Sequence, residues 1–377
     1  MSKEALEAAS WRVLFSRQYL PGIALMAMAV WLHASNSMLT ATTMPSAVAE
    51  IGGLSYISWA FALYLTGSIA AAAAVSLAVS KFGLRQTMLG ATFIYTLGCV
   101  ACAGAPTFPV LLAGRVVQGI GGGALVALVY VFQDRFFPNH FVPRLVAAIS
   151  VVWTTAACVG PLIGGAFATW SSWRYAFWAF ALQALVLMVG ISVLMERDAQ
   201  RDTNTAAFPV VRLSLLAATI VCVSYAGANP ALPTSALFLF LSLAALVAFV
   251  ARDIAAAAGS MLPRAAFTLT SPVRDGLLAT FTLSLPLMAF LTYGPILLIE
   301  LHGLTPVGAG FVVMLESIGW GVAAFGFSGA PPAIEGRLIR IGSAVIVVGL
   351  GGMAAVLPTG PLWASVIVVL VSNAGFG

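Results

Sequence analysis

Charge is what this chain of 377 residues lacks. Lysine and arginine number 17, aspartate and glutamate 12, and together they make 8% of the sequence against 61% hydrophobic residues. Soluble domains carry about 25% charged residues. So few charges cannot cover a water-facing surface, which excludes a soluble protein and leaves an integral membrane one. Reactive side chains are scarce too. Three histidines and four cysteines offer no zinc spacing. Cys99 and Cys102 have C-x-x-C spacing, but without a second Cys/His pair or a βαβ context they read as small buried apolar residues, and no disulfide framework is implied. Gly119-Ile-Gly-Gly-Gly123 lies inside an apolar run with no Lys-Ser/Thr after it and no strand before it, so it is not a phosphate loop. A nucleophile elbow and a basic nucleic-acid stripe are missing. The expectation is therefore not an enzyme, with no cofactor and no metal. Residues 1–18 are charged and polar with scattered apolar residues, and the apolar run after them is too long for a signal-peptide core and has no clear cleavage site, so no cleavable leader is expected.

What the chain has in abundance is apolar length. A helix needs about 20 apolar residues to cross the hydrocarbon core. Runs between Gly, Pro and charge punctuation predict spans at 20–47, 54–79, 86–105, 109–132, 145–168, 173–195, 213–228, 234–251, 275–299, 305–328, 338–357 and 361–377. The cations test that count. With a cytoplasmic N-terminus, Lys3, Arg12, Arg17, Lys81, Arg85, Arg135, Arg144, Arg197, Arg201, Arg212, Arg252, Arg264, Arg274, Arg337 and Arg340 all fall inside, leaving Arg174 outside and Arg115 within the membrane. Such a bias follows the positive-inside rule with every span in place. The polar stretches 196–212 and 252–274 read as cytoplasmic linkers.

A repeat is visible. Lys81-Phe-Gly83 follows the second span and Arg340-Ile-Gly342 the tenth, while Gly119-Ile-Gly121 sits in the fourth and Gly375-Phe-Gly377 in the twelfth. The offset of eight spans predicts a six-helix half over 1–195, a linker with two inserted helices over 196–274, and a second half over 275–377 holding four of six helices. Parallel halves of this kind are a transporter architecture. The expected complete protein has fourteen spans, two more than this chain carries.

Several motifs carry a resemblance. Arg115-Val-Val-Gln118-Gly119-Ile-Gly121 resembles the R-x-x-Q-G-x-G of the fourth helix in the major facilitator superfamily. Gly160-Pro161-Leu-Ile-Gly164-Gly165 resembles its fifth-helix antiporter motif, and Trp173-Arg174-Tyr-Ala-Phe177 the W-R-x-x-F opening helix six in the fourteen-helix drug:proton antiporter branch. Met44-Pro45, Ile51-Gly52, Trp59 and Tyr64 resemble the helix-one to helix-two pattern of that branch, and His302-Gly-Leu-Thr-Pro306 with Gly336-Arg337 extends the likeness. Two departures stand out. Asn36 occupies a position where the branch usually has aspartate, the usual proton carrier. The loop after helix two, usually G-x-x-x-D-R-x-G-R-R, reads Ser76-Leu-Ala-Val-Ser80-Lys81-Phe-Gly83-Leu84-Arg85. Ser76 and Ser80 stand where the glycine and the aspartate are usual, and Ser80 departs from a loop thought to latch the two halves.

Candidate residues follow. Arg115 lies about two turns into its span; it is either a fixed cation that helps couple protonation to transport or a side chain snorkelling to the surface. Glu316, mid-span in FVVMLESIGWG, is the first candidate for a proton carrier, the alternative being a structural carboxyl. His33, Asn36, Thr40 and Thr43 form a helical stripe that faces a cavity or makes a helix–helix seam. His33 has an imidazole that titrates near physiological pH when unperturbed. Gln118 at i+3 shares the face of Arg115. Trp59, Tyr64, Phe311 and Trp320 either line a substrate pocket or face lipid. Glu50 and Glu300 are expected at outer span ends, and Asp134 beside Arg135 at the cytoplasmic end of span four.

The fold expected is an all-α polytopic membrane protein of about 12 transmembrane helices with a major facilitator fold. By resemblance it is a secondary transporter of the bacterial inner membrane, monomeric, exporting small amphipathic or hydrophobic compounds against protons by alternating access. Arg115, Glu316 and His33 would couple protons, and Asn36, Thr40, Gln118, Trp59 and Tyr64 would line the substrate path. Gly83, Arg85, Gly119, Gly121, Gly160, Pro161, Gly164 and Gly165 are the structural motif residues. The alternatives are a specific metabolite transporter without proton coupling and a non-transporting sensor or remnant.

Overall fold

The computed structural model describes residues 11–196, 209–228, 231–256, 261–262, 265, 268, 271–327 and 332–375. No strand occurs among them. After one helical turn at Trp11–Leu14 come twelve helices: α1 Leu20–Ile51, α2 Ile57–Phe82, α3 Leu84–Ala103, α4 Phe108–Phe136, α5 Val142–Trp170, α6 Trp173–Leu194, α7 Val210–Ala228, α8 Leu232–Ala255, α9 Pro272–His302, α10 Pro306–Phe327, α11 Pro332–Val356 and α12 Leu362–Ala374. Each matches one span expected from sequence. Ten have the length and hydropathy to cross a membrane, and shorter apolar segments at Met288–His302 and Leu362–Ala374 supply the remaining two. Helices are what an apolar solvent demands, since they satisfy their own backbone groups. The lysines and arginines expected inside fall in 197–208, 264 and 1–10, outside the described residues, or toward the N-termini of odd-numbered helices and the C-termini of even-numbered ones, with Arg337 and Arg340 in the N-terminal half of α11.

Helix ends follow from local chemistry. Gly83 ends α2 with φ 82° and donates its N–H to Val79 O, a backbone geometry that a side chain would strain. His302-Gly-Leu-Thr-Pro306 is a stop and a start. Gly303 caps α9 in the left-handed region, Thr305 Oγ1 accepts from Gly308 N at 3.2 Å, and Pro306 opens α10 where its missing N–H costs nothing. Ser271 caps α9 in the same way, accepting from Val273 N ahead of Pro272.

One expectation changes. The eleventh helix begins at Pro332 rather than 338, so Arg337, expected in the connection before it, lies inside the helix together with Arg340 and Gly342. Arg340 Nε donates to Gly336 O one turn back at 3.0 Å. Gly83 separates α2 from α3, whereas Gly342 lies within α11.

Contacts divide the chain into two units, one of Met1–Ser37, Glu50–Ala156 and Arg174–Leu246, the other of Met38–Ala49, Ala157–Trp173 and Val247–Gly377. In the first, α4 packs along both α2 and α3, and α7 lies on α2. The approach is close because α4 is stripped of side chains there. A Cβ on Gly119 would strike Tyr64 O, and one on Gly121 would strike Tyr95 N. In the second unit α12 packs along α10 and α11, with Gly375 against Gly342 O. The packing order of α2, α3 and α4 thus recurs eight helices later.

Candidate functional site

The polar interior of the first unit is built around Arg115 of α4, whose side chain is fully buried. Its Nη1 donates to Asn36 Oδ1 on α1 and, at 2.6 Å, to Gln118 Oε1 one turn on. Its Nε donates to Ala60 O on α2 at 3.0 Å. The guanidinium lies over the Tyr64 ring, 4.2 Å from its centre. Stacking on a desolvated ring is worth about 2 kcal/mol or more. A side chain fixed on three helices has no route to the surface, so snorkelling is excluded.

A shell surrounds this centre. The Tyr64 hydroxyl shares a 2.9 Å hydrogen bond with His33 Nδ1, and the His33 ring meets the edge of Trp153. Gln118 Nε2 donates to Cys99 Sγ at 3.0 Å, and Tyr95 donates its hydroxyl to Leu32 O at 2.8 Å. His33, Asn36, Tyr64, Arg115 and Gln118 are thus brought together. Cys99, Tyr95 and the Ala60 carbonyl were not expected here, and nothing in their local sequence signals it. Both Cys99 and Cys102 are free and buried, as expected. Among the described residues no group of three or more His, Cys, Asp or Glu could hold a metal.

Trp59 stands apart. It is five residues from Tyr64, about 140° around the helix at 100° per residue. Its Nε1 donates to Ser224 O of α7 at 2.9 Å, and its ring meets Tyr56 and Tyr225 edge-on. It lines a largely apolar cleft of about 310 Å³ with Tyr56, Phe108 and Leu112, a lining that does not include Tyr64. Helix α7, with no functional motif of its own, holds Trp59 in place. Phe311 is 50% exposed on its apolar helix surface and Trp320 is half-buried.

The second unit holds the Gly160–Gly165 stretch. Pro161 has no N–H, so Ala157 O loses its helical donor. Ser317 of α10 supplies the replacement, its Oγ donating to Ala157 O at 3.1 Å. Thr42 Oγ1 of α1 donates to Pro161 O at 3.0 Å, and Val307 N, at the open start of α10, donates to Thr169 Oγ1 of α5 at 3.0 Å. Between these bonds the backbones nearly touch. A Cβ on Gly165 would come within 2.5 Å of Pro306 O, one on Gly310 within 2.6 Å of Pro161 O, and one on Gly164 would strike Thr42. Gly160 is buried in the same stretch. The contacts of 157 with 317, 161 with 310 and 165 with 306 run in opposite directions, so α5 and α10 form an antiparallel seam, with α1 on its flank through Leu39 and Thr42.

Glu316 precedes Ser317. It is 3% exposed, and neither carboxyl oxygen has a hydrogen-bond partner among the described residues. Buried polar groups are rarely left so. Thr40 and Thr43 are fully buried on α1 in this unit, and Thr43 Oγ1 donates to Leu39 O of its own helix.

The remaining candidates sit at helix ends. Arg85 Nη2 donates to Ser192 O of α6 at 2.8 Å, and Ser80 Oγ turns back to Leu77 O at 2.9 Å. Arg174, the cation expected outside, pairs with Glu50 at 2.5 Å and donates to Ala105 O at 2.8 Å. Asp134 and Glu300 are exposed.

Comparison with known proteins gives a family. The Major Facilitator Superfamily profile matches residues 26–377. The whole chain aligns at 31% identity with a probable multidrug-efflux transporter of Mycobacterium tuberculosis, spanning 82% of its length. The multidrug efflux pump SdrM of Staphylococcus aureus is 25% identical over 56% of the chain and 47% of its own length. Among solved structures, a POT family transporter in complex with 5-aminolevulinic acid matches with TM-score 0.64 at 12% identity, over 98% of this chain and 84% of that one. The xylose transporter XylE of E. coli matches with TM-score 0.61 at 16% identity, over 95% and 84%. At such identities the structures show the fold alone. The family profile and the full-length relative, on a helical frame with a buried arginine and a Gly-Pro seam, place the chain in the Major Facilitator Superfamily as a membrane transporter.

Proposed function

We propose that this transporter exports small amphipathic or hydrophobic compounds in exchange for protons, by alternating access across a bacterial cytoplasmic membrane, with its N-terminus in the cytoplasm and as a monomer. The observation that carries the proposal is Glu316, a carboxyl buried in a membrane helix with no hydrogen-bond partner among the described residues, next to the hydroxyl that bonds α5 at its proline. An ionisable group inside the membrane is a functional hypothesis by default. The names of the efflux relatives support the direction of transport. Residues 1–195 and 275–377 serve as the moving halves, with 196–274 as an inserted pair of helices.

Glu316 exchanges the proton. Arg115 supplies a fixed charge, and His33 joins it through Tyr64. Asn36, Thr40 and Gln118 face the substrate path, while Trp59 acts from the α2–α7 contact. The test is transport into everted vesicles under an imposed pH gradient. Uptake of an amphipathic dye that stops when the gradient is collapsed supports coupling, and undiminished uptake refutes it.

A second reading, transport of a specific metabolite without proton coupling, is favoured by Asn36, which offers Arg115 an amide where a carboxylate would be an exchangeable acid. The same vesicles separate the two readings.

A further inference from the structure

Among the described residues, the hydrogen-bond partners of Arg115 are all neutral. A buried cation is ordinarily matched by an anion, because leaving water costs more than neutral partners return. The partners here are an asparagine amide oxygen, a glutamine amide oxygen, a backbone carbonyl and an aromatic face. Its second terminal nitrogen, Nη2, has no hydrogen-bond partner among the described residues, although the side chain is fully buried. The described acids of the same unit are Glu50, Asp134 and Glu196, and all three are exposed. Glu50 is already paired with Arg174. The interior of this unit therefore carries a full positive charge that the described residues leave unmatched.

We propose that this charge selects the substrate, and that the transporter takes anionic amphiphiles, carrying a carboxylate, sulfonate or comparable group, in preference to organic cations. The proposal rests on the export reading above and names its substrate class. Selection does not require contact. Coulomb energy falls only as the inverse of distance, and a surrounding of low polarity screens it little. A cation entering the field of Arg115 is repelled, and an anion supplies the missing counter-charge. The affinity of the site for an anion also recovers part of the cost of keeping Arg115 buried.

Two substitutions change the charge with almost no change of shape. Asn36→Asp and Gln118→Glu each put a carboxylate where an amide oxygen now accepts from Arg115 Nη1. The measurements are made on the full chain. Dye-dependent thermal stabilisation of purified protein reports binding, and uptake into everted vesicles under a pH gradient reports transport. The probes are ethidium, a monocation, and anilinonaphthalene sulfonate, a monoanion of similar size. The wild type is expected to bind and transport the sulfonate at least about tenfold better than ethidium, with either substitution shifting the ratio toward ethidium by about tenfold or more. Equal handling of the two dyes by the wild type overturns the proposal. So does a ratio that neither substitution moves. If the wild type binds the sulfonate selectively but transports neither dye, the export reading falls and the charge assignment stands. If it transports both dyes without preference, export stands and the charge assignment falls.

Discussion

Arg115 is held by geometry that only a guanidinium provides. Nε reaches Ala60 O, Nη1 reaches two amide oxygens, and the planar group stacks on Tyr64. Lysine brings a point charge on a flexible stem and can reproduce neither the fork nor the stack. Arg115→Lys is therefore expected to keep the charge yet lower transport by about tenfold or more, in protein that inserts at wild-type level. Vesicle uptake normalised to membrane-bound protein checks this. Glu316 differs in that neither of its carboxyl oxygens has a hydrogen-bond partner among the described residues. Glu316→Gln preserves the shape and removes the exchangeable proton. Gradient-driven uptake is expected to fall to background while dye binding persists, and a variant that still accumulates dye would remove Glu316 from the mechanism. The type of each residue and its place in a span were legible in the sequence. Its neighbours were not, because Asn36, Ala60 and Arg115 meet only when three helices pack.

Among the elements, the α5–α10 seam is the one whose bonds answer a specific defect. Pro161 opens the ladder at Ala157 O, and Ser317 closes it from another helix. Ser317→Ala should cost about 0.6 kcal/mol, the average for interhelical bonds in a membrane bundle, and at most about 1.7 kcal/mol. Pro161→Ala returns an N–H to α5, so Ala157 O regains an in-helix donor. Ser317→Ala made in that background is expected to cost close to nothing, and a double-mutant cycle on melting temperature reads the difference. Additive effects would mean that the serine acts elsewhere. The α2–α4 contact answers a different constraint, that of space. Gly119→Val would drive branched carbons into Tyr64 O, an overpacking expected to cost about 1–3 kcal/mol and to separate Tyr64 from Arg115. A lower melting temperature with impaired transport checks it. Gly-Pro and Gly-Gly in one apolar run announced close packing at the sequence level. The partner helix lies about 150 residues away, and no local periodicity points to it.

For the whole molecule, the charges and the apolar runs carry the topology. The described lysines and arginines recur toward one set of helix ends, apart from Arg115 inside α4 and Arg174, which is neutralised by Glu50. With the N-terminus cytoplasmic, a cysteine placed at Trp170, 76% exposed at the end of α5, should react with an impermeant maleimide on intact cells. One at Phe82, the last residue of α2, should react only after permeabilisation, with the four native cysteines replaced beforehand. The reverse pattern would invert the orientation.

The sequence by itself determined the class, the number of described helices and the motifs that place the chain in its superfamily. These depend on composition and on short-range patterns, and the length of an apolar run is set by the thickness of the bilayer whatever the fold. It also marked Arg115, Gln118 and Glu316 as costly to bury. Only the tertiary structure decided that Arg115 sits among neutral groups, that Trp59 belongs to α7 rather than to the arginine cluster, and that a serine beside Glu316 mends the proline defect in α5. Each of these is a contact between residues far apart in the chain, fixed by which helix faces meet, and local sequence carries no term for that.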